Sequence, residues 1–265
     1  MIGIDTKFIV VLPGGYNGAV RPRLCLLLFP WLLAAQDATR VEYACPAADI
    51  EKFGLTCSDQ EPCDVFLELA SAEGVGSTIF AVGNLHTVTT TLYGVLLSSG
   101  DGGRTWTEPI PRIEGAALDQ VQFPDFQHGW ASGVLEEPLA RDPFFLVTAD
   151  GGKTWRNRPL FNERHYGSIQ QFWFDSGKTG QLIFERPQGR ASVFEIYETL
   201  NGGDSWTIKE AGIKNPSLKQ APSKDSATWR VRVDAPSKTS RIERRNARGA
   251  WDMVASFPVR AGVCK

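Results

Sequence analysis

The sequence predicts an all-β fold, a β-propeller of about four four-stranded blades, and three observations carry that expectation. Three segments, SGDGGRTW (99–106), TADGGKTW (148–155) and TLNGGDSW (199–206), share the pattern Ser/Thr-x-Asp/Asn-x-Gly-x-Thr/Ser-Trp. Their tryptophans, Trp106, Trp155 and Trp206, recur about every fifty residues, a period typical of stacked repeats. Around each copy the chain offers four short runs of strand-forming residues bounded by turn residues, the pattern of a propeller blade, and helical periodicity is almost absent.

Residues 1–35 read as an upstream extension followed by a signal peptide. Arg21 and Arg23 precede the apolar run at 24–35, and Ala34, Ala35 and Ala38 offer cleavage sites. The run is too short for a permanent membrane span. A secreted or periplasmic location is expected. Cysteine usage agrees with export: with Cys25 in the removed segment, an even set remains, Cys45, Cys57, Cys63 and Cys264. Four cysteines allow three pairings. Cys57 and Cys63 bracket the turn-like CSDQEPC and are paired locally, which leaves Cys45 for Cys264. No metal or other cofactor is expected, because CxxC spacing is missing and His86, His128 and His165 lie far apart.

Residues 36–63 form an N-terminal segment carrying the local disulfide loop, and residues 64–265 form the propeller. The first unit places strands near 65–69, 78–82, 92–98 and 105–108. The second places them near 119–123, 129–134, 144–148 and 154–158, and the third near 169–174, 181–185, 193–199 and 205–209. In the fourth, TWRVRVD alternates, with Trp229, Val231 and Val233 on one side and Arg230, Arg232 and Asp234 on the other.

The repeated turn lies between the third and fourth strand of each blade. Asp101, Asp150 and Asn201 can accept from backbone N–H groups of the turn, and Gly103, Gly152 and Gly203 can take positive φ where the chain doubles back. The tryptophan opens the next strand and buries a large ring. Ser99, Thr148 and Thr199 open the three copies. A calcium loop is excluded because the alternating oxygen ligands and terminal Glu are absent. At Trp251 the segment RNARGAW keeps an Asn, a Gly and the Trp of the pattern.

These segments resemble the Asp-box, or bacterial neuraminidase repeat, found in sialidases, sortilin-type receptors and the photosystem II stability and assembly factor family. VQFPDFQHGWASG (121–133) is similar to the strand, turn and Gly-Trp-Ala-x-Gly strand that precede the box in the last of these. That resemblance implies a non-enzymatic binding or assembly protein. The sialidase type needs an arginine triad, a Tyr–Glu pair, an Asp and an Arg-Ile-Pro motif; here the nearest string, Ile110-Pro111-Arg112, runs in the wrong order.

Strand parity places the b–c turns and d–a crossings on one rim and the boxes on the other. The first rim is expected to gather His86, Arg112, Glu136, Arg141, Asp142, Arg164, His165, Tyr166 and Arg186, a mixed-charge ring suited to a protein, peptide or glycan partner. No catalytic residue is assigned. A glycoside hydrolase of sialidase type is the enzymatic alternative. Adhesion to an anionic envelope polymer is another, because residues 209–248 hold eleven Lys or Arg against four acids. The whole-chain charge of −2 gives no case for nucleic acid. A homodimer is expected if four blades do not close a ring.

Overall fold

The computed structural model describes residues 39–136, 139–218 and 228–265. The extension and signal peptide expected at 1–35 lie outside the described residues. After a short strand β1 (Tyr43–Ala44) and helix α1 (Ala47–Lys52), the chain is built of strands.

Four sheets follow one another. The first blade contains β2 (Cys63–Val75), β3 (Thr78–His86), β4 (Thr91–Ser99) and the short β5 (Ile113–Glu114). The second is β6 (Ala116–Gln122), β7 (Gly129–Glu136), β8 (Ala140–Thr148) and β9 (Arg156–Pro159). The third is β10 (Ser168–Phe174), β11 (Gly180–Gln188), β12 (Ala191–Thr199) and β13 (Thr207–Gly212). The fourth is β14 (Trp229–Asp234), β15 (Thr239–Arg245) and β16 (Trp251–Pro258). Strands within a blade pair antiparallel with their sequence neighbours, so the chain is a multi-blade β-propeller.

Two sheets depart from four strands. β17 (Arg260–Cys264) pairs antiparallel with β2, Cys264 opposite Cys63, and β1 adds parallel to β17. The first sheet therefore has six strands in the order β1-β17-β2-β3-β4-β5, while the fourth has three among the described residues. The run expected at 105–108 contributes only the bridge between Ser98 and Thr107. Disulfides Cys45–Cys264 and Cys57–Cys63 tie the N-terminal segment to β17 and to the start of β2.

Apolar cores form between consecutive sheets. One joins blades four and one through Ile242, Ala255, Phe257 and Leu67. A second joins one and two through Phe80, Leu96, Leu118 and Leu146, and a third joins two and three through Trp130, Phe145, Phe172 and Phe184. The box tryptophans seal these seams. Trp106 meets Phe257, Trp155 meets Phe80 and Phe123, and Trp206 stacks on Phe145.

The boxes are held by their own side chains. Asp101 Oδ1 accepts from the Arg104 and Thr105 N–H groups at 3.0 and 2.9 Å, three and four residues on. The Thr105 hydroxyl donates to Oδ2 at 2.7 Å, and the Gly103 N–H donates to Ser99 Oγ at 2.9 Å. Thr148, Asp150, Gly152 and Thr154 repeat this bonding; in the third copy Asn201 Oδ1 accepts from the Thr199 hydroxyl and the Ser205 N–H, while its amide donates to Ser205 Oγ. Gly152, at φ 85°, is doubly required, since a Cβ there would lie 2.1 Å from the Phe80 ring. In the fourth copy Asn246 accepts from Arg248 and Ala250, but Trp251 lies under the Arg230 guanidinium at 4.2 Å instead of in a seam.

Candidate functional site

On the rim opposite the boxes, strands run further than expected. β3 runs to His86 with β4 resuming at Thr91, β7 runs to Glu136 with β8 starting at Ala140, and only Gly189 and Arg190 separate β11 from β12. Two groups of candidate residues result.

The first lines a cavity of about 370 Å³ between blades one and two, bordered by Glu68, His86, Thr87, Thr90, Asp119 and Glu136. Asp119 stands at a bulge in β6, between Leu118 and Gln120, which turns its carboxyl out of the ladder. Desolvation, then the charges of Glu136 and Glu68, push it up to about 6. Desolvation raises Glu136 as well. His86 places Nδ1 2.7 Å from the Thr87 carbonyl and Nε2 3.8 Å from Glu68.

The second group forms where the crossing from blade two to blade three docks on the start of β8. Asp142 adopts φ 50°, a left-handed conformation uncommon outside glycine. Its N–H donates to the His165 carbonyl at 2.7 Å, and its Oδ1 accepts from the His165 N–H at 3.1 Å. Arg141 Nη1 donates to Asp142 Oδ2 at 2.5 Å, and Arg164 Nε meets the same oxygen at 3.9 Å. Tyr166 bridges to Arg141 and is 47% exposed, and His165 stacks on Phe161 at 4.1 Å. One carboxylate thus holds the Arg141 guanidinium and lies within ion-pair reach of Arg164.

Arg112 and Arg186 join neither group. Arg112 is bidentate on Glu108 and donates to the Glu42 carbonyl, which fastens the N-terminal segment. Arg186 donates through Nε and Nη2 to the single oxygen Oε1 of Glu195 across its hairpin, and Tyr197 donates to the other oxygen. Glu68, Asp119 and Phe161 were not among the sequence candidates. A carboxylate inside an otherwise apolar strand run was the available signal for Asp119. Among the described residues no cluster of three or more His, Cys, Asp or Glu could hold a metal ion, and no helix is long and apolar enough to cross a membrane.

No protein-family model matches this sequence, and no curated protein matches it. Among solved structures the chain is similar to YCF48 bound to D1 peptide, at 21% identity and a TM-score of 0.41, over 74% of this chain and 59% of that one. It is similar to the GH74 enzyme of Niastella koreensis at 24% identity and a TM-score of 0.35, over 55% and 22%. With the α-L-arabinofuranosidase Arb93A of Fusarium graminearum the values are 12% and 0.39, over 82% and 65%. The chain spans under two thirds of the length of the first two. By its own sheet order this protein is a multi-blade β-propeller, and its repeated turns are Asp-box-like.

Proposed function

We propose that this is an exported, non-enzymatic binding propeller whose rim over blades two and three takes an anionic group of a protein or peptide partner. The observation that carries this reading is the Asp142-centred cluster. The carboxylate of Asp142, a residue at positive φ, holds Arg141; Arg164, two-thirds exposed, meets it at a loose 3.9 Å, and Tyr166, 47% exposed, follows on the same crossing. A guanidinium already oriented loses little freedom when a ligand carboxylate engages it, and an exposed tyrosine adds contact area at low entropic cost. Two disulfides support a secreted or periplasmic setting, since such bonds persist where conditions are oxidising. The signal-like residues 21–35 supply the route of export.

The test is titration calorimetry with acidic peptides drawn from proteins that co-purify with the tagged chain. Arg164→Ala and Tyr166→Ala should each weaken binding about tenfold, the scale of a lost charge-assisted contact. Unchanged affinity in both variants would remove the rim from the reading. Turnover of fluorogenic glycosides, abolished by Asp119→Asn, would replace it with hydrolysis in the blade one–two cavity.

A further inference from the structure

The two disulfides of this chain are neighbours. In the ladder between β17 and β2, Cys264 stands directly opposite Cys63, and the two belong to different bonds. Directly opposed residues of an antiparallel pair project to the same face, with Cα atoms about 4.5 or 5.5 Å apart. Both values fall inside the roughly 4.4–6.8 Å that a disulfide spans, as do the 5.0 and 5.4 Å of the two existing bonds. The packing agrees. Cys264 belongs to the core between blades four and one, and Cys45, Cys57 and Cys63 all pack against that core. Lys265, the residue after Cys264, also reaches Asp59 in the Cys57–Cys63 loop at 3.8 Å.

The two bonds differ in access. Cys264 is fully buried, whereas Cys57 and Cys63 are only partly buried, at the ends of a loop whose residues Asp59, Gln60, Glu61 and Pro62 are exposed. Exposed disulfides are the ones a dithiol reduces first, and the thiolate so released attacks whichever disulfide sulfur it can reach. For Cys63 that sulfur is Cys264.

We propose that the four cysteines form one thiol–disulfide exchange site, entered by a dithiol reductant at the Cys57–Cys63 loop, through which reduction of that loop releases Cys45 from β17. In the first step a thiolate of the reductant attacks the Cys57–Cys63 bond, and its second thiol resolves the mixed disulfide. The reductant leaves as its own disulfide, two electrons pass to the protein, and Cys57 and Cys63 become thiols. In the second step Cys63 gives its proton to water and its thiolate attacks Sγ of Cys264. The Cys63–Cys264 bond forms, the Cys45–Cys264 bond breaks, and Cys45 departs as a thiolate that takes up a proton. No further electrons are needed.

The exchange moves the clasp without opening the ring. β17 stays fastened to β2, now by a bond across the ladder that already joins them. What comes loose is the segment before β2. It keeps the two-residue pairing of β1 with β17, the Tyr43 and Tyr93 hydroxyls on Asp49, the Arg112 bond to the Glu42 carbonyl and the Lys52–Glu114 ion pair, all of them reversible. The site shares no residue with the Asp142 cluster, so the inference goes beyond the function proposed above.

The test uses the full oxidised chain under native conditions, with N-ethylmaleimide to trap thiols and peptide mapping of the unreduced protein. Cys57→Ser leaves a thiol on Cys63, opposite Cys264; Cys63→Ser leaves one on Cys57, which lies outside any strand. Maleimide should label Cys45 at least about tenfold faster in the first variant than in the second, with Cys63–Cys264 as the bridge recovered. The parent chain needs no variant to fold: one equivalent of dithiothreitol should yield labelled Cys45 and Cys57 and the same new bridge. Trypsin should then cut after Lys52 about tenfold faster than in the oxidised chain. Equal labelling of Cys45 in the two variants overturns the proposal. So does a parent chain that ends with Cys57 and Cys63 labelled and Cys45 still joined to Cys264.

Discussion

Gln122 holds Phe174 by both of its backbone groups: the side-chain amide donates to the Phe174 carbonyl at 2.9 Å, and the side-chain oxygen accepts from the Phe174 N–H at 2.8 Å. A glutamine of one blade thus acts as a short piece of strand for the next, at a place where Trp130 also stacks on the Phe174 ring at 3.7 Å. Gln122→Leu keeps the volume and leaves two buried backbone groups unpaired. The expected loss is roughly 2–4 kcal/mol, read from urea unfolding, at one to a few kcal/mol per unsatisfied group. Gln120→Leu, at a less buried site, should cost less. Equal and negligible losses would show that water replaces both clasps.

Glu73 stands on β2 where Gln122 stands on β6, two residues after the first paired residue beyond the bulge. Desolvation pushes its carboxyl up to about 7, against a backbone bond from Gly74 that pulls it down. The folded state therefore binds a proton that the unfolded chain gives up near its ordinary value of 4.5. Any stability tied to that proton is fully present below 4.5 and is lost as pH rises through about 7. Glu73→Gln should raise the urea midpoint at pH 8 and change it little near pH 4. A variant less stable at pH 8 than the parent would refute this.

Asp150 is held down to about 2, first by the Thr154 hydroxyl, then by the Thr154 N–H and Thr148; Asp101 lies below the usual carboxylate range for the same kind of reason. Depressed carboxylates contribute stability that is present above their unfolded value and is lost as pH falls through the folded one. Asp150→Asn should remove part of the acid limb of the stability profile while keeping the turn at neutral pH, because Asn201 already performs the role in the third copy. Asp150→Ala should lower the urea midpoint at pH 7, because the Thr154 N–H and hydroxyl lose their acceptor.

The Cys45–Cys264 bond spans 219 residues. By loop-closure entropy such a link is worth about 5 kcal/mol, so Cys45→Ser with Cys264→Ser should lower the denaturant midpoint by far more than loss of the six-residue Cys57–Cys63 link. Peptide mapping of the unreduced chain checks the pairing directly.

The sequence made legible whatever is decided by neighbours along the chain. The boxes were readable because Ser99, Asp101, Gly103 and Thr105 bond among themselves. The blade order followed from the runs between them. What escaped was non-local. Nothing near Arg260 announces that β17 leaves the fourth blade to pair with β2. The rim was legible as a set of charges but not as a site. Arg186 resembled a ligand group, but Glu195 engages it across its hairpin, whereas Arg141, Arg164 and His165 do converge on Asp142. Asp119 was hidden because an alternating pattern cannot show a bulge.

The pairing of β17 with β2 also sets a timetable. During synthesis β2 emerges early and can fold onto β3 and β4 at once, but its other edge waits until Arg260–Cys264 leaves the ribosome. For that interval the nascent chain carries an uncapped, apolar strand edge, the kind of surface that recruits wrong partners. A compartment that supplies both an oxidant and a holding chaperone would shorten the exposure, since Cys45 can trap the late strand covalently as soon as it arrives.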